Sequence, residues 1–121
     1  MSLPEADEEV LLLHNPRCSK SRATRALLAE QGIAFRERLY LEQPLSRAEL
    51  EELGRRLGRP ASGWLRTGEA AFAEAGLGAD PSEEAVLEAM ARHPILMQRP
   101  IVVRGQRAAV GRPPERVLEL W

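Results

Sequence analysis

The residue best suited to chemistry in this sequence is Cys18, the only cysteine of the chain. It follows an apolar run and a turn at Asn15-Pro16, and a helical pattern begins directly after it. We therefore expect the thiol at a helix N-terminus, where backbone N–H groups and the helix dipole stabilise negative charge. A thiol with a pKa of ~8.5 is about 3% thiolate at pH 7, whereas a pKa of ~6.5 makes it roughly three-quarters thiolate. Cys18 is thus a candidate nucleophile, and the same N-terminus can seat an anion.

His14 and Ser21 flank this cysteine and restrict what it can do. His14 ends the first predicted strand, where a protonated or hydrogen-bonding imidazole helps to hold a thiolate; the alternative is an ordinary hydrogen-bonded histidine at a strand end. Ser21 stands where a Cys-x-x-Cys redox motif has its second cysteine. A monothiol forms an adduct that it cannot resolve alone, so redox turnover must draw its electrons from an external thiol.

The sequence offers no other type of reactive site. One cysteine and two distant histidines lack the spacing of metal ligands, so we expect no metal site. The glycines are scattered at turns and form neither a P-loop nor a dinucleotide-binding motif. We therefore expect no bound cofactor.

Composition narrows the class of protein. A chain of 121 residues forms one domain, and its 17 basic and 18 acidic side chains give no field that favours nucleic acid or a membrane surface. No apolar run approaches the length of a membrane span. Residues 1–9 are acidic and polar, so we interpret them as a flexible leader rather than a secretory signal. With one cysteine and hence no internal disulfide, the cytoplasm is the expected location.

Hydrophobic patterns predict the elements that position Cys18. They indicate a buried strand at 10–13, a helix over about 19–31 and a strand at 35–41 with one wet face, placed at a sheet edge. A right-handed crossover makes the two strands parallel. Ser46 and Glu49 then form a capping box that opens a second helix.

The remaining chain is helical before it returns to strands. Short helices are predicted at 69–75 and from Asp80, as N-cap, to about residue 93. Strands at 101–103 and 107–110 form an antiparallel pair. A last helix turns Val117, Leu118 and Trp121 inward.

This order of elements is that of an α/β protein with a thioredoxin-like, mixed four-stranded sheet flanked by helices. A helical insertion, at about 46–93, separates the βαβ half from the ββα half. Residues 10–121 are expected to form this single domain.

Four segments carry a resemblance to a known family. They are His14-Asn15-Pro16-x-Cys18-x-x-Ser21-Arg22, Leu65-Arg66, His93-Pro94-Ile95-Leu96-x-x-Arg99-Pro100-Ile101-Val102-Val103 and Gly111-Arg112-Pro113. Each is weak alone, but the four together, in this order, are specific. From residue 10 onward the chain resembles the glutaredoxin-coupled arsenate reductases.

The resemblance implies a reaction. The Cys18 thiolate would attack the arsenic of arsenate, and loss of water would leave a covalent adduct. Glutathione, as co-substrate, and glutaredoxin, as partner, would reduce this adduct and release arsenite. His14 falls on the histidine that is associated with activating the thiol.

The resemblance also assigns the residues around the nucleophile. Arg66, Arg99 and Arg112 fall on the three arginines that hold the oxyanion, and guanidinium groups suit a tetrahedral oxyanion because they bind it bidentately. They would also offset the repulsion between thiolate and anionic substrate. Asn15 and Ser21 support the loop, and a cis peptide bond is implied before Pro100.

Two other functions fit the same residues. One is a glutathione-dependent thiol–disulfide reductase, in which Cys18 forms mixed disulfides and the arginines hold a glutathione carboxylate. The other is a regulator that binds RNA polymerase, similar to the Spx proteins. Those regulators usually carry a Cys-x-x-Cys switch, and Ser21 occupies its second position here.

Overall fold

The structure is a computed structural model that describes residues 2–121, and it divides into two compact units. One unit contains the chain up to Gln43 together with Arg99–Trp121, and the other contains Pro44–Gln98. The predicted helical insertion, about 46–93, lies within the second unit. Cys18 and the sheet belong to the first.

The first unit is built on a four-stranded mixed sheet with strand order β2-β1-β3-β4. Its strands are β1 (Val10–His14), β2 (Arg36–Leu39), β3 (Ile101–Arg104) and β4 (Arg107–Val110). β1 pairs parallel with β2 and antiparallel with β3, which in turn pairs antiparallel with β4. The predicted mixed sheet, the parallel crossover and the edge position of β2 are all confirmed.

One face of the sheet is covered by α1 (Ser19–Glu30) and by a 3-10 helix, Pro114–Leu120. The buried core between them consists of Val10, Leu12, Leu28, Val102, Val117 and Leu120. Alternate residues of a strand point to the same face, so His14 continues the row that Val10 and Leu12 begin. The core therefore ends at His14, the last residue of β1 and five residues before the first residue of α1.

Two side chains differ from the prediction in their burial. Trp121 was predicted to face inward but is 45% exposed, and Leu120 is buried instead. The last helix is a 3-10 helix, whose three residues per turn place Leu120 rather than Trp121 in line with Val117. Arg38, predicted on the wet face of β2, is only 6% exposed, and its Nε donates to the carbonyl oxygen of Gln43 at 2.9 Å.

The beginning of the chain packs against the β3–β4 turn. Met1 lies outside the described residues, but Leu3 is buried and the Glu9 carbonyl accepts the N–H of Gly105 at 3.0 Å. A Cβ on Gly105, whose φ is +54°, would lie 2.7 Å from the carbonyl oxygen of Asp7. The segment predicted as a flexible leader thus has specific contacts with the first unit.

The second unit is helical. It contains α2 (Arg47–Leu57), α3 (Ala70–Ala75), α4 (Glu83–Arg92) and two 3-10 helices, Ala61–Trp64 and Pro94–Leu96. The predicted capping box is confirmed, since Ser46 Oγ accepts the Glu49 N–H at 3.1 Å and the Glu49 carboxylate accepts the Ser46 N–H at 3.0 Å. The N-cap of α4 is Ser82 rather than Asp80, because the Ser82 hydroxyl accepts the Ala85 N–H. Within residues 2–121, no helix has the length and apolar content needed to cross a bilayer.

Candidate active site

Cys18 is the N-cap residue of α1, as predicted, with extended backbone angles of φ −96° and ψ 125°. The turn before it is closed by Asn15, whose carbonyl oxygen accepts the N–H of Cys18 at 3.0 Å. The side-chain oxygen of Asn15 accepts the N–H of Arg17 at 3.0 Å, which is the hydrogen bond of an Asx turn. Asn15 is buried and fixes the path of the loop into the helix.

The surroundings of the Cys18 sulfur favour the thiolate. Partial burial raises the pKa of the thiol, but hydrogen bonds from the Ser21 N–H, the Arg99 guanidinium and the Lys20 N–H, together with the charge of Arg99, outweigh it. The pKa of Cys18 is therefore lower than that of an ordinary thiol. Helix N–H groups and a guanidinium stabilise an anion because they place positive charge beside it. The position of Cys18 predicts a larger thiolate population, and these N–H groups and the guanidinium are its physical cause.

Two of the three predicted anion-binding arginines lie together. Arg99 lies two residues before β3 and Arg112 lies two residues after β4. Because Ile101 pairs with Val110 in the hairpin, both arginines belong to the same end of the sheet. Arg112 Nη1 donates to the carbonyl oxygen of Arg99 at 3.0 Å, so the two residues are directly connected.

The loops that carry these arginines are packed tightly around two prolines. The peptide bond before Pro100 is cis, as predicted, and so is the bond before Pro113, which was not predicted. The carbonyl oxygen of Pro100 accepts the N–H of Gly111 at 2.9 Å. A Cβ on Gly111 would lie 2.8 Å from Thr24 Oγ1 and 2.9 Å from Pro100 Cγ, so only glycine fits without a shift. Because Gly111 has no side chain, the loop that contains Arg112 packs closely against α1 and Pro100.

His14 is connected to the loop through Ser21. Its Nδ1 lies 2.7 Å from Ser21 Oγ, which also accepts the backbone N–H of Asn15 at 3.0 Å. Burial lowers the pKa of His14 more than the nearby Glu37 carboxylate raises it. The imidazole is therefore neutral near pH 7, and it contacts Ser21 as a hydrogen-bonding group. The structure thus favours the hydrogen-bonding form of the predicted His14 role over the charged form.

Arg66, the third predicted arginine, lies in the second unit. It follows the 3-10 helix Ala61–Trp64, and its backbone N–H donates to the carbonyl oxygen of Leu96 at 2.7 Å. Its guanidinium is 3.7 Å from a carboxylate oxygen of Glu69. These contacts anchor the Arg66 segment within the helical unit.

A surface cavity of about 260 Å³ borders the loop before Cys18. Its lining consists of His14, Asn15, Pro16, Arg17, Leu39, Leu41 and Glu42. The cavity thus lies beside the turn that precedes Cys18, but Cys18 is not among the residues that line it. Over residues 2–121, no three His, Cys, Asp or Glu side chains are grouped so that they can hold a metal ion.

Comparison with known proteins identifies the family. The model of the ArsC family matches residues 13–120, nearly the whole chain. The chain belongs to the ArsC family. An arsenate reductase of Neisseria meningitidis is 43% identical over 90% of this chain and 95% of its own length. The uncharacterized protein YfgD of Escherichia coli K12 is 46% identical over 93% of this chain and 97% of its own length.

The fold of this ArsC-family chain also matches solved structures. An arsenate reductase from Vibrio cholerae superposes with a TM-score of 0.89 at 45% sequence identity, covering 96% of this chain and all of that one. The predicted thioredoxin-like fold and the predicted family are therefore confirmed.

Sequence reasoning missed the contacts of two residues near the candidate site, Gly111 and Glu37. Gly111 was quoted as part of a motif, but its contact with Thr24 depends on how α1 packs on the hairpin. Glu37, near His14, was assigned only to an edge strand. A register between β1 and β2 would have revealed Glu37, since Leu12 pairs with Glu37 and His14 lies two residues further along the same face.

Proposed function

We propose that this chain is an arsenate reductase with Cys18 as its nucleophile. The observation that carries the proposal is the position of Cys18 as the N-cap residue of α1, where the first N–H groups of the helix and the Arg99 guanidinium lower the pKa of the thiol. Membership of the ArsC family supports the choice of arsenate, because proteins named arsenate reductases from Neisseria meningitidis and Vibrio cholerae are 43% and 45% identical to this chain.

In the proposed reaction, the Cys18 thiolate attacks the arsenic atom of arsenate, and one arsenate oxygen leaves as water. The bond formed is S–As, and arsenic remains As(V) in the adduct. Thiolate and arsenate are both anions, so their approach is unfavourable unless positive charge lies beside them. Arg99 and Arg112 supply that charge at the end of the sheet.

Reduction of the adduct needs two electrons, and Cys18 is the only cysteine of the chain. Two external thiols therefore provide the electrons and leave as one disulfide, while As(V) becomes As(III) and the Cys18 thiolate is regenerated. We propose glutathione and glutaredoxin as these thiols, and the cytoplasm as the reducing compartment that maintains them.

The test couples arsenate, glutathione, glutaredoxin and the purified protein to NADPH oxidation by glutathione reductase. We expect arsenate-dependent oxidation that disappears in Cys18→Ser. The matched control adds Ser62→Cys to Cys18→Ser, which restores one thiol at an exposed position of the helical unit. This control should remain inactive, since a surface thiol lacks the anion-stabilising groups of the site.

Three results would contradict the proposal and identify its competitors. Turnover in the control variant would mean that any thiol supports the reaction. Reduction of a glutathione mixed disulfide without an arsenate-dependent rate would indicate a thiol–disulfide reductase. Stable capture of purified RNA polymerase, with neither activity, would indicate an Spx-like regulator.

A further inference from the structure

The His14 imidazole lies between the Cys18 loop and a charged pair formed by Glu37 of β2 and Arg25 of α1. On one side, Nδ1 lies 2.7 Å from the hydroxyl oxygen of Ser21. On the other side, Nε2 lies 3.9 Å from a carboxylate oxygen of Glu37, which also accepts a hydrogen bond from Arg25 Nε at 2.8 Å. The separation of 3.9 Å exceeds that of a hydrogen bond, so Glu37 acts on the ring through its charge.

Strand register and helix periodicity bring these groups together. Leu12 pairs with Glu37 across the parallel strands, so Glu37 and His14 are diagonal neighbours on the face covered by α1. Ser21 and Arg25 lie one helical turn apart on α1, and both point toward this corner. The β3 residue beside this end of β1 is the uncharged Ile101. Arg22, also on α1, is the remaining charged group whose field acts on the imidazole.

The carboxylate decides which ring nitrogen carries the proton. A negative oxygen attracts an N–H group and repels a nitrogen lone pair, so Glu37 favours the proton on Nε2 of the neutral ring. Nδ1 then accepts a hydrogen bond from the Ser21 hydroxyl, whose oxygen lone pairs remain available to the Asn15 N–H. The opposite tautomer would direct the Nε2 lone pair at the carboxylate.

We propose that Glu37 is a positioning residue that acts on Cys18 through His14 and Ser21. Its carboxylate fixes the tautomer of His14, His14 fixes the hydroxyl of Ser21, and Ser21 lies in the first turn of α1, whose N-cap residue is Cys18. The proposal rests on Cys18 as the nucleophile of the proposed function, but it does not depend on arsenate as the substrate.

The first test measures the tautomer of the unmodified protein by ¹⁵N NMR of the imidazole nitrogens at neutral pH. His93→Gln assigns the signals, since the chain has two histidines. We expect His14 to carry its proton on Nε2. A predominantly Nδ1-protonated ring would overturn the proposal, and this measurement needs no variant of Glu37 that must fold.

The second test compares Glu37→Gln with Glu9→Gln. Glu9 is a matched control because it is also part-exposed in the first unit and pairs with an arginine, Arg36, at 2.7 Å. The readouts are the His14 tautomer and the pH dependence of Cys18 alkylation by iodoacetamide. In Glu37→Gln we expect a weaker Nε2–H preference and alkylation about threefold slower at pH 7, whereas Glu9→Gln should leave both unchanged.

The direction of the rate change separates this relay from a simple field effect. Loss of a nearby negative charge would by itself stabilise the thiolate and speed alkylation. Faster or unchanged alkylation in Glu37→Gln would therefore overturn the proposal, and so would slower alkylation with an unaltered tautomer. Alkylation requires no arsenate, so a failed arsenate assay leaves this test intact.

Discussion

Cys18 and His14 lie four residues apart in the sequence, and their surroundings lower the pKa of both side chains, which favours the charged form of Cys18 and the neutral form of His14. Burial lowers the pKa of His14, and the charges of Arg25 and Arg22 oppose its protonation further, while Glu37 favours it. At Cys18, burial is outweighed by the helix N–H groups and Arg99. The positive charge beside the Cys18 sulfur therefore comes from Arg99, whereas the contact of the His14 ring is with the Ser21 hydroxyl.

We predict that Arg99→Gln raises the pKa of the Cys18 thiol, because the variant loses both a charged hydrogen bond and a cation beside the sulfur. The midpoint of the pH profile of alkylation should move up by about one unit, since removing an adjacent opposite charge has an effect of that size. Arg116→Gln is the control: Arg116 is on the surface of the same unit, with a side chain that is 55% exposed. An identical midpoint in the Arg99 variant would mean that the helix N–H groups alone stabilise the thiolate.

At the scale of elements, the site depends on the contact between α1 and the loops that flank the β3–β4 hairpin. Gly111 lies in that contact, against Thr24 of α1 and Pro100 before β3. The N–H of Gly111 also donates to the carbonyl oxygen of Pro100. A shift at Gly111 therefore moves the neighbouring Arg112, whose guanidinium binds the backbone of Arg99.

Gly111→Ala should destabilise the protein by about 1–3 kcal/mol, because overpacking of a tight contact has that cost. The added methyl group would approach Thr24 Oγ1 to 2.8 Å. Gly68→Ala is the matched control, since a Cβ at Gly68 meets nothing within 4 Å. Urea denaturation of both variants measures the difference. Equal stability of the two variants would show that the loop adapts to the methyl group at no cost.

At the scale of the whole molecule, local sequence patterns predicted the helices and strands well, whereas the contacts between side chains of different elements were not predictable. The Ser46 capping box and the antiparallel hairpin were correct because each depends on residues close in sequence. Trp121 was placed inward because the pattern was interpreted with α-helical rather than 3-10 spacing. The proximity of Glu37 to His14 depends on a strand register that one sequence does not determine.

The same limit applied to the arginines. The sequence contains 17 basic residues, and the composition does not show which of them bind an anion. The resemblance to a known family selected three arginines. The structure connects Arg99 to Cys18 and Arg112 to Arg99. Arg66 stays a prediction, carried by family resemblance and tested only through the activity of the intact protein.

In the first unit, the segment before residue 44 and the segment from Arg99 onward share one hydrophobic core, and Leu12 belongs to it. Leu12 is 0% exposed and belongs to the cluster that includes Leu28 of α1, Val102 of β3 and Val117 of the last helix. Leu12→Ala should therefore reduce the free energy of unfolding by about 2–5 kcal/mol, since it removes a transfer contribution and leaves a cavity. Leu41→Ala is the control, because Leu41 is 40% exposed. Its substitution should change the stability by less than about 0.5 kcal/mol. Urea denaturation followed by circular dichroism measures both, and similar losses in the two variants would contradict the assignment of Leu12 to the core that joins the two ends of the chain.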